Sequence, residues 1–365
     1  MKKVFHIGPC HPYIDSYSES IYLANLIETE VKHYLFIPNL KAVQTHEWTS
    51  KTEKHILDMK NFLEEVSVFI EQHNPDLIVF HSIAYHHDLE LIIKYGKLIK
   101  IAWVIWGWDL YSRLKNEESI KVLQLINENI SFILGYSGDY KILQTQIKNP
   151  ASFVKGSDLI YSIPSLSKIK SQSNNTAGDY IILGNSGDPG NNHIEIISEI
   201  SKKSDYKNYL FIIPMSYSAT ADYIERVDLC AKTQGLNYHI LINFISPSEY
   251  ENIIQNAMLL VTCHNRQQSA GTIITALSYG VPVILREKIT VEGYIFENPI
   301  WESLKSFKVN LLDWENFKEF DSLKNISICE NEDKSNLNHF KIYYSSAGAA
   351  QRLIFHTNHM LYQTI

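Results

Sequence analysis

Short β-branched runs alternate with longer amphipathic ones from end to end, and this alternation narrows the fold more than any other feature. In the first half Val4–Ile7, Tyr34–Ile37, Leu77–Phe80, Ile101–Ile105 and Phe132–Leu134 read as strands, with helical periodicity clearest over Ser18–Glu28 and His55–Glu71. The second half repeats the scheme with strands at Tyr180–Leu183, Tyr209–Ile213, His239–Ile242, Met258–Thr262 and Val281–Leu285. Helices are expected between them near Ile194–Lys202, Ala221–Lys232, Pro247–Gln255 and Thr272–Tyr279. Strands separated by helices line up in parallel, with helices covering both faces of the sheet. The Ser-, Asn-, Lys- and Pro-containing run from Ser162 to Gly178 breaks this order and reads as an interdomain linker.

The expected fold class is therefore α/β, with two doubly wound Rossmann-like domains over residues 1–165 and 179–345 and a linker over 166–178. A closing helix within 346–365, Ala347–Tyr362, is expected to pack back on the first domain. Ligands of such sheets sit beyond the carboxyl ends of the strands, and two such domains facing each other enclose a cleft.

A chain of 365 residues suits two domains of ordinary size, and 45% hydrophobic with 20% charged residues suits a folded globular protein. The formal charge of −7 provides no basic face, so no nucleic-acid partner is expected. The four cysteines, Cys10, Cys230, Cys263 and Cys329, have neither disulfide-framework nor zinc-site spacing. The first apolar run, Val4–Ile7, is too short for a signal peptide, and no run reaches the roughly 20 residues of a membrane span. A cytoplasmic protein is expected, with at most weak contact at the inner face of the cytoplasmic membrane through Lys94, Lys97 and Lys100. Adjacent histidines in His86-His87-Asp88 point apart on a helix, so no metal site is expected there.

The stretch ILGNSGDPGNNHIEII, Ile182–Ile197, joins a strand to a helix through small and polar residues. Gly184 and Gly187 let a ligand approach the main chain, and Asn191 or Asn192 is placed to cap the helix beginning at His193 or Ile194. The first amides of that helix lack partners and carry the positive end of its dipole, a setting that attracts phosphate. The stretch lacks the Gly-Lys-Ser/Thr of a Walker loop and the spacing of a dinucleotide fingerprint. Asp188 suits a sugar hydroxyl or an ammonium group better than a phosphate; a ligand-free tight turn is the alternative. After the strand Met258–Thr262, Arg266 stands among neutral polar residues where a helix begins at Gly271-Thr272, and the two together would form a pyrophosphate clamp; pairing of Arg266 with a surface carboxylate is the alternative. Pro214, Met215 and Tyr217 project from the rim of the neighbouring strand, where Met215 or Tyr217 would form an apolar wall.

Several of these residues recur together in a known family. Gly184-Asn185-Ser186-Gly187-Asp188, Asn192-His193, Pro214-Met215, Tyr223-Ile224-Glu225 and Arg266-Gln267-Gln268 occur in that order, with Trp106-Gly107-x-Asp109-Leu110-Tyr111 and His81 ahead of them. Together they resemble the bacterial TDP-4-acetamido-4,6-dideoxygalactose transferases of glycosyltransferase family 56, which act on a polyprenyl-pyrophosphate-linked glycan in enterobacterial common antigen synthesis. The likeness runs from about Leu77 to Gly280. It implies a GT-B architecture, a dTDP- or UDP-linked amino- or deoxy-sugar donor bound by the second domain, a glycan or polyprenyl-diphosphate-linked acceptor bound by the first, and inversion at the anomeric carbon. In the segment INFISPSEYENIIQNAMLLVTC, which is similar to the nucleotide side of many GT-B enzymes, Asn243, Phe244 and Ile245 would line the base. The chain departs from many GT-B transferases in having Gln267 or Gln268 and Thr275 where they carry two glutamates beside Gly280-Val281-Pro282. Its loop GPCHPYIDSYSES also departs from the family's.

Inverting transfer needs a general base for the acceptor hydroxyl and positive charge for the leaving diphosphate. The base candidates are Asp109 and His81 at strand ends and Asp15 in the loop after the first strand; helix capping or core burial is the alternative for each. No Asp-x-Asp motif occurs, so no cofactor or metal is expected, with Arg266 and helix N-termini in the metal's place. Trp103 is expected in the core, and Trp106 and Trp108 near the mouth would stack on a sugar. A GT-B-type sugar-nucleotide epimerase or hydrolase, acting on the donor alone, is the competing reading.

Overall fold

The computed structural model of the chain describes residues 1–10, 12–39, 54–158, 161–163, 180–326 and 334–363. It divides into two compact units, Met1–Ser167 with Ile342–Ile365, and Lys168–Lys341. Residues 166–178, read above as the linker, lie outside the described residues.

The first unit holds strands β1 (Lys2–Ile7), β2 (Val31–Asn39), β3 (Lys54–Asp58), β4 (Leu77–His81), β5 (Lys100–Val104), β6 (Phe132–Leu134) and β7 (Ser152–Phe153). Its helices are α1 (Pro12–Ile27), α2 (Phe62–His73), α3 (His86–Tyr95), α4 (Trp108–Tyr111), α5 (Glu117–Glu128) and α6 (Ser137–Gln146). The strands form one sheet in the order β3-β2-β1-β4-β5-β6-β7, with every pairing parallel. The chain runs outward one way from β1 and then the other way from β4, so the switch point lies between these two strands.

The second unit repeats the plan. Its strands are β8 (Tyr180–Leu183), β9 (Leu210–Pro214), β10 (Asn237–Leu241), β11 (Leu259–Val261), β12 (Val283–Leu285), β13 (Lys288–Val291), β14 (Tyr294–Glu297) and β15 (Leu311–Asp313). Its helices are α7 (His193–Ile200), α8 (Ala221–Thr233), α9 (Pro247–Gln255), α10 (Ala270–Ser278), α11 (Pro299–Leu304) and α12 (Trp314–Lys318). The parallel sheet is ordered β10-β9-β8-β11-β12-β15, which puts the switch point between β8 and β11. Ser246 explains the clean start of α9: its hydroxyl accepts from the Glu249 amide while the Glu249 carboxylate accepts from the Ser246 amide, with Pro247 at the first helical position.

Helix α13 (Lys334–Tyr344) leads into α14 (Ser346–Tyr362). Leu353, Met360 and Leu361 of α14 share a core with Ile14, Tyr17, Ile21 and Ala24 of α1. Lys100 secures the end of α14, its ammonium lying 2.8 to 3.1 Å from the carbonyls of Met360, Leu361 and Gln363. A cation on the last carbonyls of a helix meets the negative end of its dipole. Lys97 likewise donates to the Glu128 carbonyl and Lys94 pairs with Glu71. Among the described residues no helix is long and apolar enough to cross a membrane.

Several elements differ from the sequence reading: α1 starts at Pro12 rather than Ser18, strands β7 and β15 were not expected, and two further differences have a clear physical cause. The expected helix His55–Glu71 begins seven residues late: Lys54–Asp58 is edge strand β3, and α2 starts at Phe62. Isolated periodicity missed this because β3 gains its stability from pairing with β2, a non-local partner. The antiparallel hairpin β13–β14 was also unread. Its two-residue turn, Glu292-Gly293, has φ of +47° and +81°, the doubly left-handed geometry that suits the twist of a tight hairpin.

Candidate functional site

The turn after β8 folds around a buried asparagine. Asn191 Oδ1 accepts from the Asn185 amide at 2.9 Å and from His264 Nε2 at 2.9 Å. Its Nδ2 donates to Ser186 Oγ at 3.1 Å and to the Asp188 carbonyl at 3.0 Å. Backbone partners on both sides fix the orientation of this amide, so His264 must carry its proton on Nε2 and present a bare lone pair at Nδ1. One side chain thus ties the β8 loop to the β11 loop across the switch point.

The two glycines have steric reasons. Gly184 sits at φ +73°, and a Cβ there would lie 2.6 Å from His193 Nε2 and 2.8 Å from Asn191 Oδ1. At Gly187 a Cβ would come within 2.2 Å of the Ala219 methyl. Of the two candidates for capping α7, Asn192 is its N-cap residue, in the left-handed region, but neither asparagine side chain caps it: Asn192 donates to the Cys263 carbonyl and Asn191 serves the turn.

The helices at the switch point start differently from their neighbours. α8, α9, α11 and α12 are each capped by a side chain, from Thr220, Ser246, Asn298 and Asp313. α7 and α10 begin at left-handed residues, Asn192 at φ +56° and Ser269 at φ +68°, with no side-chain cap. Their first-turn amides are left without side-chain acceptors at the one place in the sheet where ligands are favoured.

Arg266 joins this group. Its Nη2 lies 2.9 Å from Asp188 Oδ2, and Nη1 donates to the Gln267 carbonyl at 3.2 Å. The other Asp188 oxygen accepts from the Gly190 amide at 2.7 Å. Asp188 therefore ties the guanidinium to the turn. Both side chains keep part of their surface in solvent.

Around this pair lies a set of buried polar atoms with no partner among the described residues: Asn185 Oδ1, His193 Nε2, His264 Nδ1, Gln267 Oε1, Gln268 Oε1 and Ser269 Oγ. Each such atom costs about 1–3 kcal/mol if nothing meets it. Burial pushes His193 down to about 4 and His264 down to about 3, the latter helped by Arg266, His193 and Arg286, so both are neutral at pH 7.

The remaining residues read as donor-binding divide. Tyr217 accepts from Asn185 Nδ2 at 2.9 Å and keeps 46% of its surface exposed. Pro214 ends β9. Met215, expected on the rim, is packed in the core of the second sheet beside Ile213 and Tyr223, because its amide extends the ladder to Leu241 and turns the side chain inward. Phe244 stands beyond β10, 73% exposed. Gly271 and Thr272 lie in the first turn of α10, with Thr272 buried. His264, Asn191 as a hub and Tyr223, whose hydroxyl is 3.2 Å from His193 Nδ1, were not read as parts of this site. A clue was present: Asn185 and His264 follow neighbouring strands β8 and β11, whose register pairs Leu183 with Val261.

In the first unit Asp109 is fully buried and braced. Its Oδ2 accepts from Trp103 Nε1 at 2.8 Å and the Ile83 amide at 3.2 Å, and its Oδ1 from the Trp106 and Leu110 amides at 3.0 and 3.1 Å. Burial raises its pKa despite these donors and the Arg113 guanidinium. This carboxylate organises the β5 turn. His81, at the end of β4, has both ring nitrogens engaged, with His6 Nδ1 at 3.1 Å and the Tyr161 hydroxyl at 2.9 Å, and burial takes it down to about 3. Asp15 falls in α1, and its side chain lies outside the described residues. Trp103 is in the core, Trp106 is part-buried and Trp108 is exposed. His86 pairs with Glu90 at 2.6 Å, and among the described residues no group of three His, Cys, Asp or Glu side chains is placed to hold a metal ion.

Two parallel-sheet α/β domains of this kind are those of the GT-B fold. A glycosyltransferase from Rickettsia africae is 10% identical with a TM-score of 0.66, covering 100% of this chain and 99% of that one. Alr3699/HepE from Anabaena, solved in complex with UDP and glucose, is 12% identical with a TM-score of 0.63, covering 98% of this chain and 100% of that one. MnaA from S. aureus, solved with UDP, is 15% identical with a TM-score of 0.55, covering 99% and 97%. At such identities these likenesses establish the fold. The family model described as 4-alpha-L-fucosyltransferase, glycosyl transferase group 56, matches residues 14–356. The chain belongs to this family and is a glycosyltransferase.

Proposed function

We propose that the protein is an inverting, metal-independent transferase that moves a sugar from a dTDP- or UDP-linked donor to a lipid-linked or cell-surface glycan, working in the cytoplasm. The observation that carries this reading is the convergence, at the β8/β11 switch point, of one guanidinium, two helix starts without side-chain caps and six buried polar atoms without partners among the described residues. Arg266 and the helix amides suit the diphosphate, since each favours negative oxygen. The bare atoms Asn185 Oδ1, His264 Nδ1 and the Gln268 carbonyl oxygen are acceptors, and acceptors suit the hydroxyls of the sugar. A positive group and helix dipoles at the leaving diphosphate supply the stabilisation that a divalent metal supplies elsewhere. The UDP bound by the Anabaena and S. aureus neighbours supports a nucleotide-linked donor.

With Asp109 and His81 engaged at every side-chain polar atom, Asp15 at the start of α1 is the general base in this reading. The test is to incubate dTDP- and UDP-sugars with the chain in chelator, with and without polyprenyl-diphosphate-linked glycans, and follow the anomeric protons by NMR. Transfer only in the presence of acceptor, with inverted anomeric configuration, is expected. Isomerisation or hydrolysis of the donor alone, at rates matching any transfer, would instead establish an epimerase or hydrolase.

A further inference from the structure

Three histidines run in series through the core of the first unit. His33 Nδ1 on β2 meets His6 Nε2 on β1 at 2.9 Å, and His6 Nδ1 meets His81 Nε2 on β4 at 3.1 Å. His81 Nδ1 then meets the Tyr161 hydroxyl at 2.9 Å, and that same oxygen accepts the indole N–H of Trp106. The Tyr17 hydroxyl lies 3.2 Å from His6 Nδ1. At the far end, buried His33 Nε2 has no partner among the described residues. Tyr161 and Trp106 are part-exposed and stand edge to face, with ring centroids 5.3 Å apart.

Burial holds all three imidazoles well below neutrality, with His33 near 4 and His81 near 3, so each carries one ring proton. Because the rings are linked, their tautomers move together. In one arrangement Tyr161 donates to His81 and each histidine donates onward from Nε2. The His33 N–H is then stranded, and the His81 N–H competes with the Tyr17 hydroxyl for the single lone pair on His6 Nδ1. In the other, each histidine donates from Nδ1 towards Tyr161, His33 keeps only a bare lone pair, and the two hydrogens without an acceptor inside the network are the rotatable hydroxyl hydrogens of Tyr17 and of part-exposed Tyr161. Buried N–H groups without acceptors are rarer than under-used lone pairs, which selects the second arrangement. Tyr161 then accepts from both His81 and Trp106, and its own hydrogen must serve a group outside the network.

We propose that Tyr161 and Trp106 form a carbohydrate-binding site at the β1/β4 switch point, the Tyr161 O–H donating to a sugar oxygen and the indole packing against the apolar face of the ring. The histidine chain is its positioning device, fixing the direction of one hydroxyl hydrogen from the core. Under the transferase reading on which this rests, the sugar is a unit of the glycan acceptor.

The test uses the intact chain labelled with ¹⁵N-histidine and ¹⁵N-tryptophan. Long-range ¹H–¹⁵N spectra should show the Nδ1–H tautomer at His6, His33 and His81; an Nε2–H tautomer at His81 would overturn the proposal. Titration with methyl glycosides of hexoses and N-acetylhexosamines should then give saturable shifts at the Trp106 indole and His81, weakened at least tenfold in Tyr161→Phe. No shift in the unmutated chain, or equal affinity in a folded Tyr161→Phe variant, would also overturn it. Should Tyr161→Phe fail to fold, the unmutated chain decides through its tautomers and titration. These readouts need no turnover, so failure of the donor to bind or react would count against the transferase reading alone.

Discussion

The folded chain should lose stability steeply as the pH falls from about 6.5 towards 4.5. His33, His87, His193 and His356 are held near 4, His81 and His264 near 3, and His6 well below its usual value, in each case chiefly by burial. The sign follows from linkage. Below about 6.5 the unfolded chain takes up protons that the folded chain refuses, so a contribution fully present at neutral pH is lost as acid is added. At pH 5 a buried histidine held near 4 or below costs about 2 kcal/mol, so His33 or His81 alone is a sizeable fraction of a typical domain stability of about 5–15 kcal/mol, and His6 acts in the same direction. Asp88 and Asp109 work the other way, since burial raises both, Asp88 to about 7, but they are two groups against seven. Urea denaturation measured across this range should give a slope corresponding to uptake of three or more protons on unfolding. A midpoint that stays level down to pH 5 would mean that these imidazoles are not buried and neutral.

Replacing Asn191 with alanine should be the most damaging single change in the second unit, at about 3–5 kcal/mol. The residue is fully buried and links the loops after β8 and β11 through four hydrogen bonds. Truncation leaves the Asn185 amide and the His264 N–H buried without acceptors, and each carries a desolvation cost of about 1–3 kcal/mol. His264 would also lose the bond that fixes its tautomer. Chemical denaturation measures the first effect, and hydrogen exchange at the Asn185 amide measures the local one. A loss below about 1 kcal/mol with unchanged exchange would show that the two loops hold together without this bridge.

Much of the fold was legible because parallel strands buried on both faces read as continuous apolar runs. Tyr180–Leu183 and Phe132–Leu134 match the sequence reading residue for residue, and Pro247–Gln255 does too because its start is written locally in Ser246-Pro247. Among the elements that escaped, β3, β7 and β15 are edge strands that gain stability from pairing with β2, β6 and β12, and β13–β14 rests on a Glu-Gly turn. In the site, Arg266 and the Asn185 loop were visible as isolated polar residues at strand ends, and the structure brings them together through Asp188. Asn191 and His264 escaped as bridging residues because a bridge between loops 73 positions apart leaves no local trace. The histidine chain escaped for the same reason. His6, His33 and His81 lie on three separate strands, and only the sheet order β2-β1-β4 sets them side by side.

The central claim, that the turns after β8 and β11 hold a diphosphate with the Arg266 guanidinium, is tested most directly by calorimetric titration of dTDP and UDP in the presence of chelator. The account predicts saturable binding to the unmutated chain and at least about tenfold weaker binding to Arg266→Ala, the lower end for a charge-assisted hydrogen bond. Equal affinity of the two proteins for both nucleotides, or binding that appears only when a divalent metal is supplied, would contradict it.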